Sequence, residues 1–456
     1  MVEPADPGVT EASGRLLSGL APSAGGPAAQ VALARRSVAA ATVGNALEFY
    51  DFITYAFFAI QIGHAFFPSH NAYGSLMLSL ATFGAGFITR PIGAIVIGAY
   101  SDRVGRRPAM MLSFTLMGAA IISLALIPSY ATIGIAAPIL AIAARMVQGF
   151  SLGGEVGPTT AYLLEAAPLN RRGLAVSWQG ASQGIAATLG GLVGVGLSSV
   201  MAPAALDAYG WRIAFLLGAV TLPFGLWIRR TLPETLHAPE ATAKASTATT
   251  VVGAIRENYR IITLALLALA GGTIGTYVFN YMTTFAEGTL HMPPGMSFLG
   301  NALGNLAGVV AVLYGGWLSD RIGRRPVMIW PNLAYLLLVL PVFFWIIHAR
   351  SALALIAGTV ALGVAGTMGA GAFYAAVAET LPKRIRGGAF ATIYASSIAL
   401  FGGTTQLVIT WLIKITGSPM APAWYLVGAT VIGQAAIWMI LESAPVKITR
   451  PARLAA

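Results

Sequence analysis

A chain of 456 residues that is 57% hydrophobic and only 9% charged has too few charged groups to cover a soluble globule, which usually carries about 25%. This composition excludes a soluble enzyme, a coiled coil and a disordered scaffold, and the net charge of +11 then reads as a membrane-orientation signal rather than a nucleic-acid footprint. With no Cys, a disulfide framework, a thiolate nucleophile and a Cys-ligated metal are excluded as well.

Residues 1–37 are rich in Ala, Pro, Gly and Ser and lack a basic start leading into an apolar run. They read as a disordered cytoplasmic tail and not as a secretory signal. From Val38 onward the chain is a series of apolar stretches, each near the ~20 residues needed to cross the hydrocarbon core. Helical spans are predicted at 38–66, 74–100, 108–128, 132–165, 174–200, 212–231, 260–285, 296–318, 327–347, 351–380, 389–414 and 423–441. Only helices suit them, because lipid offers no partner for an open backbone group. Most Lys and Arg fall in the two tails and in alternate loops, whereas Arg212, Arg350 and Lys414 fall on the other side. The positive-inside rule therefore places both termini in the cytoplasm, which requires an even number of spans and supports twelve.

A polar, Ala- and Thr-rich stretch at 232–259 separates the bundle 38–231 from the bundle 260–441, and 442–456 form a second cytoplasmic tail. The two bundles repeat one another. "SDRVGRRP" begins at Ser101 and "SDRIGRRP" at Ser319, while Glu-x-x-Pro-x-x-x-Arg-Gly starts at Glu165 and again at Glu379. Two independent motifs at nearly one spacing indicate duplication. Parallel six-span repeats joined by a cytoplasmic linker are the architecture of the major facilitator superfamily, so the expected fold is an all-α membrane protein of twelve helices in two six-helix repeats.

The duplicated loop has a legible chemistry. Asp102 and Asp320 stand at cytoplasmic helix ends, where a carboxylate can cap a neighbouring helix N-terminus or pair with Arg. Gly105 and Gly323 permit the tight reversal. Arg103, Arg106 and Arg107, with Arg321, Arg324 and Arg325 in the second copy, hold the loops at the anionic membrane face. Together with Glu165, Arg172, Glu379 and Arg386 they form a polar latch that can make and break during a conformational cycle; the plainer reading is a set of topology-setting charges.

Charges inside the spans are expensive and mark function. They are Glu48, Asp51, Arg90, Arg145 and Glu155. Asp51 lies roughly 20 Å along its span at 1.5 Å per residue, deep enough to reach mid-membrane, and shares a helix face with Glu48 at i,i+3. Arg145 either binds an anionic substrate or forms a buried ion pair with an acid. On span 7, Tyr277, Asn280 and Tyr281 can line a cavity with polar groups. On span 5, Trp178, Gln179, Ser182 and Gln183 form a polar patch that serves either a site or helix–helix contact. His64 reads as incidental. Tyr374, Tyr394 and Gln406 are a looser suggestion.

"GNALEFYDF" at Gly44–Phe52, "GFITRPIGAIVIGAYSDRVGRRP" at Gly86–Pro108, "ARMVQGFSLGGEVGPTTAYLLEAAPLNRRG" at Ala144–Gly173 and "SWQGASQG" at Ser177–Gly184 resemble the metabolite–proton symporters of the major facilitator superfamily. The resemblance is strongest to citrate or tricarballylate carriers, and departs from them at Gly369-Ala370, where a Tyr-Asn pair is usual, and at Phe49. It implies a non-enzymatic, proton-coupled carrier that imports a small organic acid across the inner membrane by alternating access. By this resemblance Arg145, Gln148 and Arg90 would meet substrate and Asp51, Glu48 or Glu155 would carry the proton. Protons, an organic acid and lipid are the expected partners of a monomer, with no nucleic acid, metal or cofactor. A symporter of a zwitterionic osmolyte, or of 2-oxoglutarate or shikimate, is the alternative within the class; a membrane-embedded ligand sensor is the alternative outside it.

Overall fold

The computed structural model describes residues 42–448 except Gly44, Glu48, His70, Gly105, 154–159, 161–162, 165–166, Thr221, 224–258 and 382–385, with backbone alone at 98–99, 101–103, 106–107, 110, 386–389, 391 and 448. The tail 1–37, the linker up to 258, Glu48, Gly105, Glu155, Glu165 and the side chains of Asp102, Arg103, Arg106, Arg107 and Arg386 thus lie outside the described residues.

Among the described residues the chain is helical and contains no strand. A helical stretch at 49–57 leads into α1 (Ala59–Phe66). It is followed by α2 (Ala72–Ile88), α3 (Arg90–Val104), α4 (Arg106–Leu126), α5 (Ala136–Leu152), α6 (Arg172–Val200) and α7 (Trp211–Val220). Beyond the linker come α8 (Tyr259–Thr284), α9 (Pro294–Ile322), α10 (Arg324–Ala349), α11 (Ala352–Thr367), α12 (Ala370–Thr380), α13 (Arg386–Ser397), α14 (Gly403–Thr416) and α15 (Ala421–Met439). Seven helical runs among the described residues are long and apolar enough to cross a membrane. Side chains such as Ile95, Val200, Trp330, Leu337 and Leu353 stay exposed, as a lipid-facing surface requires and a water-facing one would not tolerate in such number.

Local chemistry sets the helix ends. The Asn71 side chain accepts from Gly74 N to cap α2, and Ser351 accepts from Ala354 N to cap α11, each satisfying an orphan backbone donor. Gly323 separates α9 from α10 at φ 106, a conformation that glycine adopts without steric cost. The N-terminus of α10 is closed from a distance, because Glu442 accepts from Arg324 N at 2.8 Å and Arg325 N at 3.1 Å.

With lipid as apolar as Leu, helices associate through small residues that let backbones approach. Gly86 of α2 and Gly149 of α5 touch so closely that a Cβ on Gly149 would collide with the Gly86 carbonyl, and one on Gly93 would collide with the carbonyl of Phe150. The two halves meet along α6 and α9, which run antiparallel: Gly173 faces Gly316, Gly184 faces Val309, Gly191 faces Ala302 and Gly194 faces Phe298. A second seam brings Gly84 of α2 against the Gly403 carbonyl at the start of α14.

Candidate functional site

Between the halves lies a cavity of about 180 Å³. The stretch 49–57 contributes Phe49, Phe52 and Ile53, and α6 contributes Gln183 and Gly184. From α8 come Thr273, Thr276, Tyr277 and Asn280; Asn305, Asn332, Thr367, Tyr374, Tyr394 and Thr430 complete the polar part of the wall among the described residues. No acidic or basic side chain among the described residues lines it. Its polar atoms are joined across helices: Gln183 Nε2 donates to the Tyr394 hydroxyl at 3.3 Å, Asn332 Nδ2 to Gln434 Oε1 at 2.6 Å, and the Thr273 and Ser397 hydroxyls lie 3.1 Å apart.

The charges sit directly behind this wall. Arg145, 1% exposed on α5, places its guanidinium carbon 4.8 Å from the Phe52 ring centre, 4.5 Å from Tyr55 and 5.1 Å from Phe83. Arg90, at the start of α3, lies 4.6 Å from the same Phe52 ring and 4.6 Å from Phe87. Aromatic faces stabilise a desolvated guanidinium through their quadrupole, by about 2 kcal/mol or more, which offsets part of the cost of burying it. Arg145 Nη1 also donates to Gln148 Oε1 one turn along, while its Nε and Nη2 have no hydrogen-bond partner. Two like charges over one ring repel each other, so the arrangement is poised for an anion.

Asp51 is 1% exposed, with Oδ1 unpartnered and held against the backbone of Gly218 on α7. No ion pair within 4 Å joins it to Arg145. No acid among the described residues forms an ion pair with Arg145 within 4 Å, and Glu48 and Glu155 lie outside the described residues.

Other candidates separate cleanly. Tyr277, Asn280 and Gln183 line the cavity, as do Tyr374 and Tyr394. Gln179 does not; its amide donates to Asn45 at 3.2 Å, Asn45 donates to Ser182 at 2.6 Å, and this trio ties the first helix to α6. Tyr281 is also withdrawn, with its hydroxyl accepting from Thr410 at 2.8 Å. Gln406 reaches the Tyr277 carbonyl at 3.4 Å. Tyr55 and Phe83, with the wall residues Asn305 and Asn332, carry no sequence signal beyond being aromatic or amide side chains in apolar helices; Phe52 and Phe87 fall within the motifs quoted above without their role being marked there.

At the end of the bundle that carries the loop motif, Asp320 accepts from Gly173 N at 2.8 Å and Leu174 N at 2.9 Å, capping α6 of the opposite half. Arg324 is fully buried and bridges Asp320 at 2.7 Å and Glu379 at 3.0 Å, and Glu379 also accepts from the Ser443 hydroxyl at 2.8 Å. Both capping and pairing, expected of this aspartate from sequence, occur together. Arg321 turns instead onto the Trp317 ring at 3.9 Å, and Arg325 donates to the Trp438 carbonyl at 2.9 Å. Arg172 stands at the start of α6 beside this cluster. Asp320→Asn is expected to lower stability by about 1.5–3 kcal/mol, the worth of a hydrogen bond to a charged group, and to favour parting of α6 from α9 at this end. The melting temperature of purified protein reports the first effect. Spin labels placed in the first turn of α6 and the last turn of α9 report the second, without interference from native thiols; an unchanged distance distribution would contradict it.

At the opposite end Gln61 Nε2 donates to Glu287 Oε1 at 2.8 Å, the Thr284 hydroxyl to the Ala56 carbonyl at 3.3 Å, and Phe58 packs on Phe298 with ring centres 4.9 Å apart. His64, far from idle, bridges to Asp207 at 2.8 Å. The halves therefore touch at both ends, with the cavity between.

Residues 37–257 match the Sugar (and other) transporter family, and residues 295–455 match the Major Facilitator Superfamily. The citrate-proton symporter of Salmonella typhi is 37% identical over 404 residues, which is 88% of this chain and 92% of that one. The citrate-proton symporter of Klebsiella pneumoniae is 36% identical over 86% of this chain and 88% of its own. The proline/betaine transporter of Salmonella typhimurium is 30% identical over 88% and 82%. In three dimensions the chain is similar to the xylose transporter XylE from E. coli in a partially occluded inward open conformation, with a TM-score of 0.72 at 16% identity over 90% of this chain and 98% of that one. A human organic anion transporter, MFSD10, has a TM-score of 0.60 at 19% identity over 89% and 99%.

Proposed function

Because this chain belongs to the metabolite–proton symporters of the major facilitator superfamily, we propose that it imports a di- or tricarboxylate such as citrate, with protons, across the cytoplasmic membrane. It is a secondary transporter and not an enzyme. The observation that carries the substrate class is the pair of buried guanidiniums, Arg90 and Arg145, over the one Phe52 ring at the cavity wall. A guanidinium holds a carboxylate bidentately, and two of them match a ligand with at least two carboxylates. A zwitterion would need only one cation and an acid facing it. The pattern of relatives points the same way, with citrate-proton symporters more similar than proline/betaine transporters.

In this reading Arg145 and Gln148 take one carboxylate and Arg90 another, while Gln183, Tyr277 and Asn280 contact the remainder of the molecule. Asp51 takes the coupling proton, with Glu48 and Glu155 as its rivals. Asp320, Arg324 and Glu379 form the latch that closes the cytoplasmic end, both termini lie in the cytoplasm, and the monomer is the working unit. A sensor that held its ligand without moving it would leave the duplicated latch without a purpose. Counterflow of radiolabelled citrate in proteoliposomes, with succinate, 2-oxoglutarate, shikimate, proline and betaine as competitors, tests the substrate; proline competing where citrate does not would overturn the carboxylate assignment.

The energetics give a second test. One charge crossing the membrane is worth about 2.3 kcal/mol per 100 mV, or roughly fifty-fold in concentration at ~1.4 kcal/mol per decade. A polyanion entering a negative-inside cell therefore needs protons in excess of its own charge if the potential is to drive uptake. Accumulation is expected to rise with an inward pH gradient and to collapse with a protonophore. Unchanged accumulation under protonophore, with sodium absent, would point to a different energy source.

A further inference from the structure

The cavity wall carries no charge among the described residues, yet two guanidiniums lie immediately behind it. Of the four rings that surround them, Tyr55, Phe83 and Phe87 do not line the cavity; Phe52 alone belongs to both sets. Arg145 is 1% exposed and keeps two unpartnered donor nitrogens, an expense that a ligand would relieve. The cavity face of Phe52 is in turn held from the other half, because Tyr277 of α8 stands edge-on to Phe52, at 6.5 Å between ring centres, and to Phe87 at 5.5 Å.

We propose that the Phe52 side chain is a shutter between the cavity and the guanidiniums of Arg90 and Arg145, kept shut by Tyr277 of the opposite half and opened when the halves move apart. The shutter rests on the carboxylate reading above for what it admits, but not for its existence. Shut, it keeps the charged groups dry in the empty carrier. Open, it admits carboxylates and lets the ring take a second rotamer. Phe52 is thus a positioning residue: it bonds to no substrate atom, and it decides when the arginines can.

The test separates access from binding. In proteoliposomes, reaction of Arg145 with phenylglyoxal is followed by peptide mass spectrometry in wild type, Phe52→Ala, Phe52→Leu and Phe52→Trp. Phe52→Ala should react about tenfold faster than wild type, equivalent to about 1.4 kcal/mol of opening free energy, and Phe52→Trp more slowly. Citrate association and dissociation rates should rise together in Phe52→Ala while the Kd changes less than either, whereas a merely structural ring would lower affinity without accelerating binding. If Phe52→Ala does not fold, Phe52→Leu carries the comparison. Equal Arg145 reactivity in a folded Ala or Leu variant overturns the shutter. Accelerated reactivity in a protein that binds no citrate leaves the shutter standing and overturns the citrate assignment instead.

Discussion

Replacing Arg145 by lysine should abolish high-affinity substrate binding while leaving a folded, membrane-inserted protein. The guanidinium lies over three rings, 4.5 to 5.1 Å from their centres, with one nitrogen engaged by Gln148 and two without partners. A planar fork can stack in that slot and still offer two parallel donors to a carboxylate. An ammonium keeps the charge but presents a point, so at least one charged hydrogen bond is lost. At about 1.5–3 kcal/mol per charged hydrogen bond, the Kd should rise about tenfold to a hundredfold or more. Calorimetry on detergent-purified protein measures it, and a monodisperse size-exclusion profile establishes folding. Normal affinity in the lysine variant would mean that Arg145 serves the aromatic box and not the substrate.

Asp51→Asn should separate exchange from accumulation. The carboxyl is buried with Oδ1 against the Gly218 backbone, and the amide is nearly isosteric. One carboxyl oxygen has no hydrogen-bond partner, and a buried charge so placed is costly unless neutralised; a single proton neutralises it. On the proposed assignment, substrate at Arg145 would cancel part of the positive charge near Asp51 and so favour its neutral form. Binding and protonation are then linked by electrostatics alone. Asparagine mimics the protonated form permanently, so citrate counterflow should persist while uphill accumulation along a pH gradient is lost. Parallel Glu48→Gln and Glu155→Gln variants complete the comparison. Accumulation with normal pH dependence in Asp51→Asn transfers the coupling role to one of those two acids.

Much of this geometry is legible before any coordinates. Apolar length locates the helices, and the duplicated Asp-Arg-x-Gly-Arg-Arg loop foretells a carboxylate that caps one helix and pairs with an arginine, as Asp320 does. Rise per residue sets Asp51 and Arg145 away from the ends of their spans, and both are buried. Side-chain assignment within a helix is less accessible. Gln179 and Gln183 share one face at i,i+4, as do Tyr277 and Tyr281, yet one member of each pair lines the cavity and the other is tied to a neighbouring helix. Periodicity cannot divide them, because helices in the middle of the bundle have partners on several sides. Phe52 reads as ordinary core until its two arginines are placed, and nothing local joins Gln61 to Glu287 or His64 to Asp207 across the chain.

The contact of Gly86 with Gly149 has a consequence for selectivity. Arg90 follows one of these glycines by a single helical turn, and Arg145 precedes the other by one turn, so the two cationic heads are mounted on backbones in direct contact. The anchor points of the two side chains are therefore set by main-chain contact. On the proposed assignment, the first half would then act as a ruler for the distance between carboxylates, with the same graduation whichever side of the membrane it faces. The second half, whose polar contribution to the cavity is hydroxyls and amides with no charged side chain among the described residues, is left to judge everything between the two marks.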